Sequence, residues 1–133
     1  MIVVDSNILA YLYFPSEFTA QAEQLLAKDP DWVAPLLWRS EFRNILAGHL
    51  RRGTLTLALA YTLWLEVEGL LSGCGYDVDS LDVLELGKAS DCSAYDCEFV
   101  ALAKKLGVKL ATMDRKALRN FPERTTSLDS VSP

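Results

Sequence analysis

Ile2-Val3-Val4-Asp5-Ser6-Asn7-Ile8-Leu9 opens the chain, and its first three residues decide the fold class. Ile and Val are stiff at χ1 and pack well on a pleated surface. A β-branched run without polar alternation belongs in a strand covered on both faces, as the strands of parallel sheets are. The run stops at Asp5-Ser6-Asn7, residues that favour caps and turns. A parallel strand reaches its neighbour only through a long crossover, usually helical, so helices and strands should alternate downstream.

They do. Residues 16–28 read as a helix with Phe18, Ala22, Leu25 and Leu26 on one side, broken by Asp29-Pro30. Trp32-Val33-Ala34 reads as a second strand. Pro35 suits the first turn of a helix that runs through Arg52 and stops at Gly53, after the basic last turn His49-Leu50-Arg51-Arg52. Residues 55–71 form a helix that is apolar on almost every side, ended by Ser72-Gly73-Cys74-Gly75. Residues 76–83 offer a third strand and 84–89 one or two helical turns. A helix over 93–106 closes at Gly107, followed by a strand over 108–112, a short helix over 115–120 and a last strand over 125–128. This alternation predicts one α/β domain over residues 1–133 with a mainly parallel central sheet. The ligand crevice of such a sheet lies beyond the carboxyl ends of its strands.

Composition narrows the class. The chain has 133 residues, half of them apolar, which is material for a real core and excludes disorder and small disulfide scaffolds. Thirteen Lys and Arg against 18 Asp and Glu leave a net charge of −5, which argues against general electrostatic binding of nucleic-acid backbone. Cys74, Cys92 and Cys97 lack CxxC spacing and read as reduced thiols of a cytoplasmic protein. The N-terminus has no basic leader, and Glu66 and Glu68 interrupt the most apolar stretch, so neither a signal peptide nor a membrane span is expected.

Four carboxylates fall where chemistry is expected. Asp5 ends the first strand and Asp114 follows the strand over 108–112, so both should face one crevice; each also suits a cap. Glu41 borders the apolar stripe of Leu37, Phe42, Ile45 and Leu46, and its structural alternative is a reach to water or to Arg39 or Arg43. Asp96 interrupts the apolar face of Cys92, Phe99, Val100 and Ala103, although Ser93-Ala94-Tyr95-Asp96 also has capping-box spacing. All four map to the same end of one sheet. Gathered carboxylates repel and take up protons unless a cation sits between them. Oxygen-only ligation suits Mg²⁺ or Mn²⁺. His49, the lone histidine, reads as a helix-dipole partner or packing residue.

With these residues in order, the sequence resembles PIN domains, and specifically the short VapC-type toxin ribonucleases. Ile2-Val3-Val4-Asp5-Ser6-Asn7-Ile8-Leu9 is similar to the family's first-strand motif, Glu41 to its helix acid, and Ser93-Ala94-Tyr95-Asp96 before Phe99-Val100-Ala101-Leu102-Ala103 to its third acid. Leu110-Ala111-Thr112-Met113-Asp114 resembles its closing Thr-x-Asp. The resemblance implies a three-layer α/β/α domain and Mg²⁺- or Mn²⁺-dependent hydrolysis of single-stranded or loop RNA. Asp5, Glu41, Asp96 and Asp114 would be the catalytic and metal-holding acids, with Asn7, Thr112 and, less so, Ser6 as supporting or substrate-orienting residues. It also implies a homodimer, a small antitoxin protein as partner, and a role as the toxin of a type II toxin–antitoxin system.

Arg115 and Lys116 adjoin Asp114 and are candidates for phosphate contact. Trp38 is a candidate for base stacking, with core packing the stronger reading. Asp91 competes with Asp96 but lacks its apolar downstream context, and reads as a surface or capping residue. The helix over 55–71 fits either an interface or the core. Two other function classes remain: a non-catalytic PIN-like interaction module, and a Mg²⁺-dependent phosphatase or receiver-like domain. The latter is disfavoured, because Asn7 stands where a haloacid-dehalogenase-type phosphatase needs its second Asp, and a receiver's acid pair and late lysine are missing.

Overall fold

The computed structural model describes residues 1–71 and 75–130. Four short strands, β1 (Ile2–Val4), β2 (Trp32–Val33), β3 (Leu110–Ala111) and β4 (Thr125–Thr126), form one sheet in the order β2-β1-β3-β4. Every pairing is parallel. Ile2, Val3 and Val4 are all buried although successive side chains point to opposite faces, so helices cover both sides of the sheet and the layering is α/β/α.

The helices are α1 (Ser6–Tyr13), α2 (Thr19–Lys28), α3 (Trp38–Arg52), α4 (Leu57–Leu70), α5 (Ser80–Lys88), α6 (Ala94–Leu106) and α7 (Arg115–Asn120), with a 3₁₀ turn at Leu128–Ser130. Helices α3 and α6 end on Gly53 and Gly107, whose φ values of 73° and 68° are the left-handed caps their positions in the sequence call for. No helix among the described residues is long and apolar enough to cross a membrane.

Two sequence readings are corrected. Residues 76–83 do not form a strand: only Tyr76 makes a bridge, parallel to Pro35, and α5 begins at Ser80. The alternation in Tyr76-Asp77-Val78-Asp79 mimics a strand, but Val83 and Leu86, three apart, pack toward α6 with Cys92, Cys97 and Ala101. Gly75 precedes the bridge at φ 128°, and a Cβ there would lie 2.8 Å from Leu36 Cδ2. The second correction is α1, which follows β1 without a loop where the sequence shows only the end of a strand. The proposed helix stop at Ser72–Cys74, and Cys74 itself, lie outside the described residues; Cys92 and Cys97 are free thiols and buried.

The helix predicted over 55–71 is not buried on every side. Ala60 and Val67 of α4 are buried, while Leu57, Leu59, Tyr61 and Leu65 are exposed, Leu57 by 74%. This helix lies on the surface with an apolar outer face.

The chain leaves β1 for β2 on one side and leaves β3 for β4 on the other, so connections from these two adjacent strands run in opposite directions. The carboxyl ends of β1 and β3 are therefore the switch point at which α/β sheets open a crevice.

Candidate active site

Register assembles the first two acids. Val3 pairs with Leu110 and Val4 with Ala111, which sets Asp5 level with Thr112 one residue later. The Asp5 amide donates to Ala111 O at 3.3 Å. The carboxylate caps α1, with Oδ1 accepting from the Ile8 amide at 3.0 Å and Oδ2 accepting from the Thr112 hydroxyl. Thr112 is itself buried, and its Oγ1 accepts from the Asp114 amide at 3.0 Å. Asp114 then caps α7, accepting from the Lys116 amide at 3.3 Å. One threonine thus joins the two strand-end acids, and both carboxylates double as helix caps.

Helices supply the other two. Glu41 sits in the first turn of α3, and Ser6 Oγ donates to its Oε1 at 2.9 Å. Asp96 lies in the first turn of α6, its amide donating to the Ser93 cap at 3.1 Å while its half-buried side chain faces the crevice. Asp5, Glu41, Asp96 and Asp114 all line one cleft of about 500 Å³. Ser6, Asn7 and Thr112 line it too. Arg115 and Lys116 are exposed outside the lining, and Asp91 lies away from it, accepting from Arg119 at 3.1 Å and from Asn120. His49 stacks on Phe14 at 4.1 Å and hydrogen-bonds Thr54, remote from the four acids.

The electrostatics follow from burial and like charge. Asp5 is pushed up from 3.8 to about 6, chiefly by burial and further by Glu41, against the lowering pull of Thr112 and the Ile8 amide. Glu41 is raised by burial, then by Asp96 and Glu98, and lowered by Ser6. Among the described residues none of the four acids is ion-paired; the pairs join Arg39 to Glu68, Arg119 to Asp91 and the N-terminal amine to Asp29.

A divalent cation fits this donor set. Among the described residues the charged groups lining the cleft are all carboxylates, and neither His nor Cys lines it, so the donors are the hard oxygens that Mg²⁺ or Mn²⁺ prefers. Among the described residues no three His, Cys, Asp or Glu side chains converge into a ready-made cage. Mg²⁺ keeps several waters and takes one or two carboxylates directly, which suits acids spread around a cleft.

Tyr11, Asn44 and Glu98 went unread in the sequence. Tyr11 follows Asn7 by four residues and lines the cleft with it, a spacing that becomes visible once Asp5 is seen as the cap of α1. Asn44 follows Glu41 by three on α3. Glu98 bears on Glu41 through its charge.

A family model described as PIN domain matches residues 2–123. Ribonuclease VapC3 of Pyrobaculum aerophilum is 33% identical over 129 residues, spanning 94% of this chain and 98% of that protein. Two solved structures share the fold. FitAcB from Neisseria gonorrhoeae superposes with a TM-score of 0.77 at 17% identity, covering 98% of this chain and 99% of that one. A toxin–antitoxin complex from Klebsiella pneumoniae gives 0.72 at 14% identity, covering 96% and 98%.

Proposed function

The chain belongs to the PIN-domain family, and from that premise we propose that it is a Mg²⁺- or Mn²⁺-dependent endoribonuclease, the toxin of a type II toxin–antitoxin pair. The observation that carries this reading is the cleft itself, which four carboxylates line with no Lys or Arg beside them among the described residues. Asp5, Asp96, Asp114 and Glu41 would hold the cation. A divalent ion held by these acids would supply activation of water and compensation of the charge on the scissile phosphate.

The chain's own groups do the positioning. Thr112 holds the Asp5 carboxylate through its hydroxyl and the Asp114 backbone through its amide, so one side chain ties the two strand ends together. Ser6 orients Glu41. Asn7, exposed at the cleft, orients substrate. Arg115 and Lys116 contact phosphate beyond the rim, where an otherwise acidic protein offers local positive charge.

A homodimer and a small antitoxin complete the proposal, and the working compartment is the cytoplasm. The exposed apolar face of α4 and the groove it forms with α3, lined by Leu46, Leu50, Leu57 and Tyr61, support a protein partner.

Purified protein is expected to cut single-stranded or loop RNA with Mg²⁺ or Mn²⁺ and to stop in EDTA. Cleavage that survives EDTA sinks the metal mechanism. Absence of cleavage on every RNA tried, with no rise in Tm on adding metal, makes the chain an interaction module. The pH dependence is a separate prediction. Without metal, Asp5 keeps its proton until about pH 6, so protons and cation compete for it. Apparent Mg²⁺ affinity, read as the rise in Tm, should strengthen as pH climbs through about 6 and level off above about 7. A flat profile removes Asp5 from the ligand set.

A further inference from the structure

The cleft is lined by two chemically different sets of residues. The acids occupy the ends of β1, β3, α3 and α6. Beside them, α1 contributes Asn7 and Tyr11, one turn apart on the same face, and α3 contributes Asn44 and Ile45, one turn beyond Glu41. Helices α1 and α3 pack against each other, so these residues form one continuous wall.

The wall's polar groups are neutral and uncommitted. Ser6 and Thr112 spend their hydroxyls on Glu41 and Asp5. By contrast, the Asn44 amide and the Tyr11 hydroxyl have no hydrogen-bond partner among the described residues. Tyr11 is held in place, its ring tilted against Phe18 at 5.0 Å, and burial with the nearby Asp5 raises its pKa, so the hydroxyl stays a donor at neutral pH. Ile45, half-buried and next to Asn44 on α3, adds apolar surface to this wall. An apolar rest with a few convergent donors and acceptors is what an unstacked nucleobase needs, because its faces are apolar and its edges carry the hydrogen bonds. A side-chain amide presents a donor and an acceptor side by side, as a base edge does.

We propose that Asn44 and Tyr11 read a base of single-stranded RNA next to the scissile phosphate and set the cleavage preference. This rests on the ribonuclease reading above. Among the described residues the charged lining of the cleft is all negative, so backbone attraction is left to the cation and to the rim, and sequence is read by neutral groups.

The test uses the full chain and a panel of short oligoribonucleotides differing at one base, with Asn44→Ala and Tyr11→Phe compared with wild type. Cleavage is measured in Mg²⁺, binding by fluorescence anisotropy in Ca²⁺, and metal binding by the Mg²⁺-induced rise in Tm. Asn44→Ala should lower kcat/KM on the preferred oligonucleotide about tenfold or more and flatten the preference among bases, with a smaller loss in Tyr11→Phe. The Mg²⁺-induced rise in Tm should be unchanged, since neither residue holds the metal. Retention of the wild-type preference by both variants overturns the proposal, as does an equal loss on every oligonucleotide. If wild type cuts nothing yet binds with a base preference that Asn44→Ala erases, the wall stands and the ribonuclease reading falls. If wild type neither cuts nor binds, both fall.

Discussion

Asp5→Asn should abolish metal-dependent RNA cleavage and at the same time make the metal-free protein more stable. Loss of activity, about a hundredfold or more, follows from removing a carboxylate that would hold the cation. The gain in stability follows from the environment that raises Asp5 from 3.8 to about 6. The folded state then binds the proton more tightly than the unfolded chain does. The stabilising contribution is fully present below about pH 4 and is lost as pH rises through about 6, so at neutral pH the ionised group is a net cost. A shift of that size corresponds to about 1–3 kcal/mol. Asn supplies a cap of equal quality, accepting from the Ile8 amide, and its amide can donate to Thr112 where the carboxylate accepted. Melting without metal near neutral pH should therefore rise by about 4–10 °C, and the Mg²⁺-induced rise seen for wild type should disappear. A variant that melts below wild type in EDTA would show that Asp5 is held for the fold and not for a cation.

The same residue shows how far the sequence could be read. Asp5 was visible because a β-branched run ends on it, and Asp114 because a second strand ends just before it. That the two are joined through Thr112 depends on the pairing of Val4 with Ala111, a contact across more than a hundred residues that no local pattern encodes. Helix α1 escaped notice because Ile8, Leu9, Tyr11, Leu12 and Tyr13 leave little contrast between its faces, and because its cap is also the strand's last residue. Tyr11 was missed with it. The false strand over 76–83 has the opposite cause: Asp and apolar residues alternate at period two for four residues before the helical period of α5 takes over. For α4 the apolar residues run almost all the way round, so its sequence does not say which side is covered; small Ala60 and Val67 turn out to face inward.

Trp38→Ala is expected to have the largest effect on stability, and the reason lies in how α3 aims Glu41. Trp38 is fully buried, stacked on Trp64 at 4.9 Å and tilted against Phe42 at 6.5 Å. Arg39 lies over both indoles, 5.6 Å from Trp38 and 5.0 Å from Trp64, and its guanidinium reaches Glu68 at 3.0 Å, so the same few side chains fasten α3 to α4. Truncating a buried Trp to Ala costs about 3–5 kcal/mol, which for a domain of this size lowers Tm by about 10–18 °C. Trp38→Phe keeps a ring in the stack and should lose less than half of that. The site should suffer too: Glu41 lies one helical turn after Trp38, and its bond from Ser6 depends on where that first turn is held. Packing and substrate contact make different predictions here. A structural Trp38 gives Trp38→Phe wild-type RNA affinity at a temperature where both are folded, whereas a base-stacking Trp38 gives Trp38→Ala a near-normal Tm and an affinity loss of about tenfold or more. Complete burial of the indole selects the first outcome, since a ring that no solvent reaches has no face to offer a base.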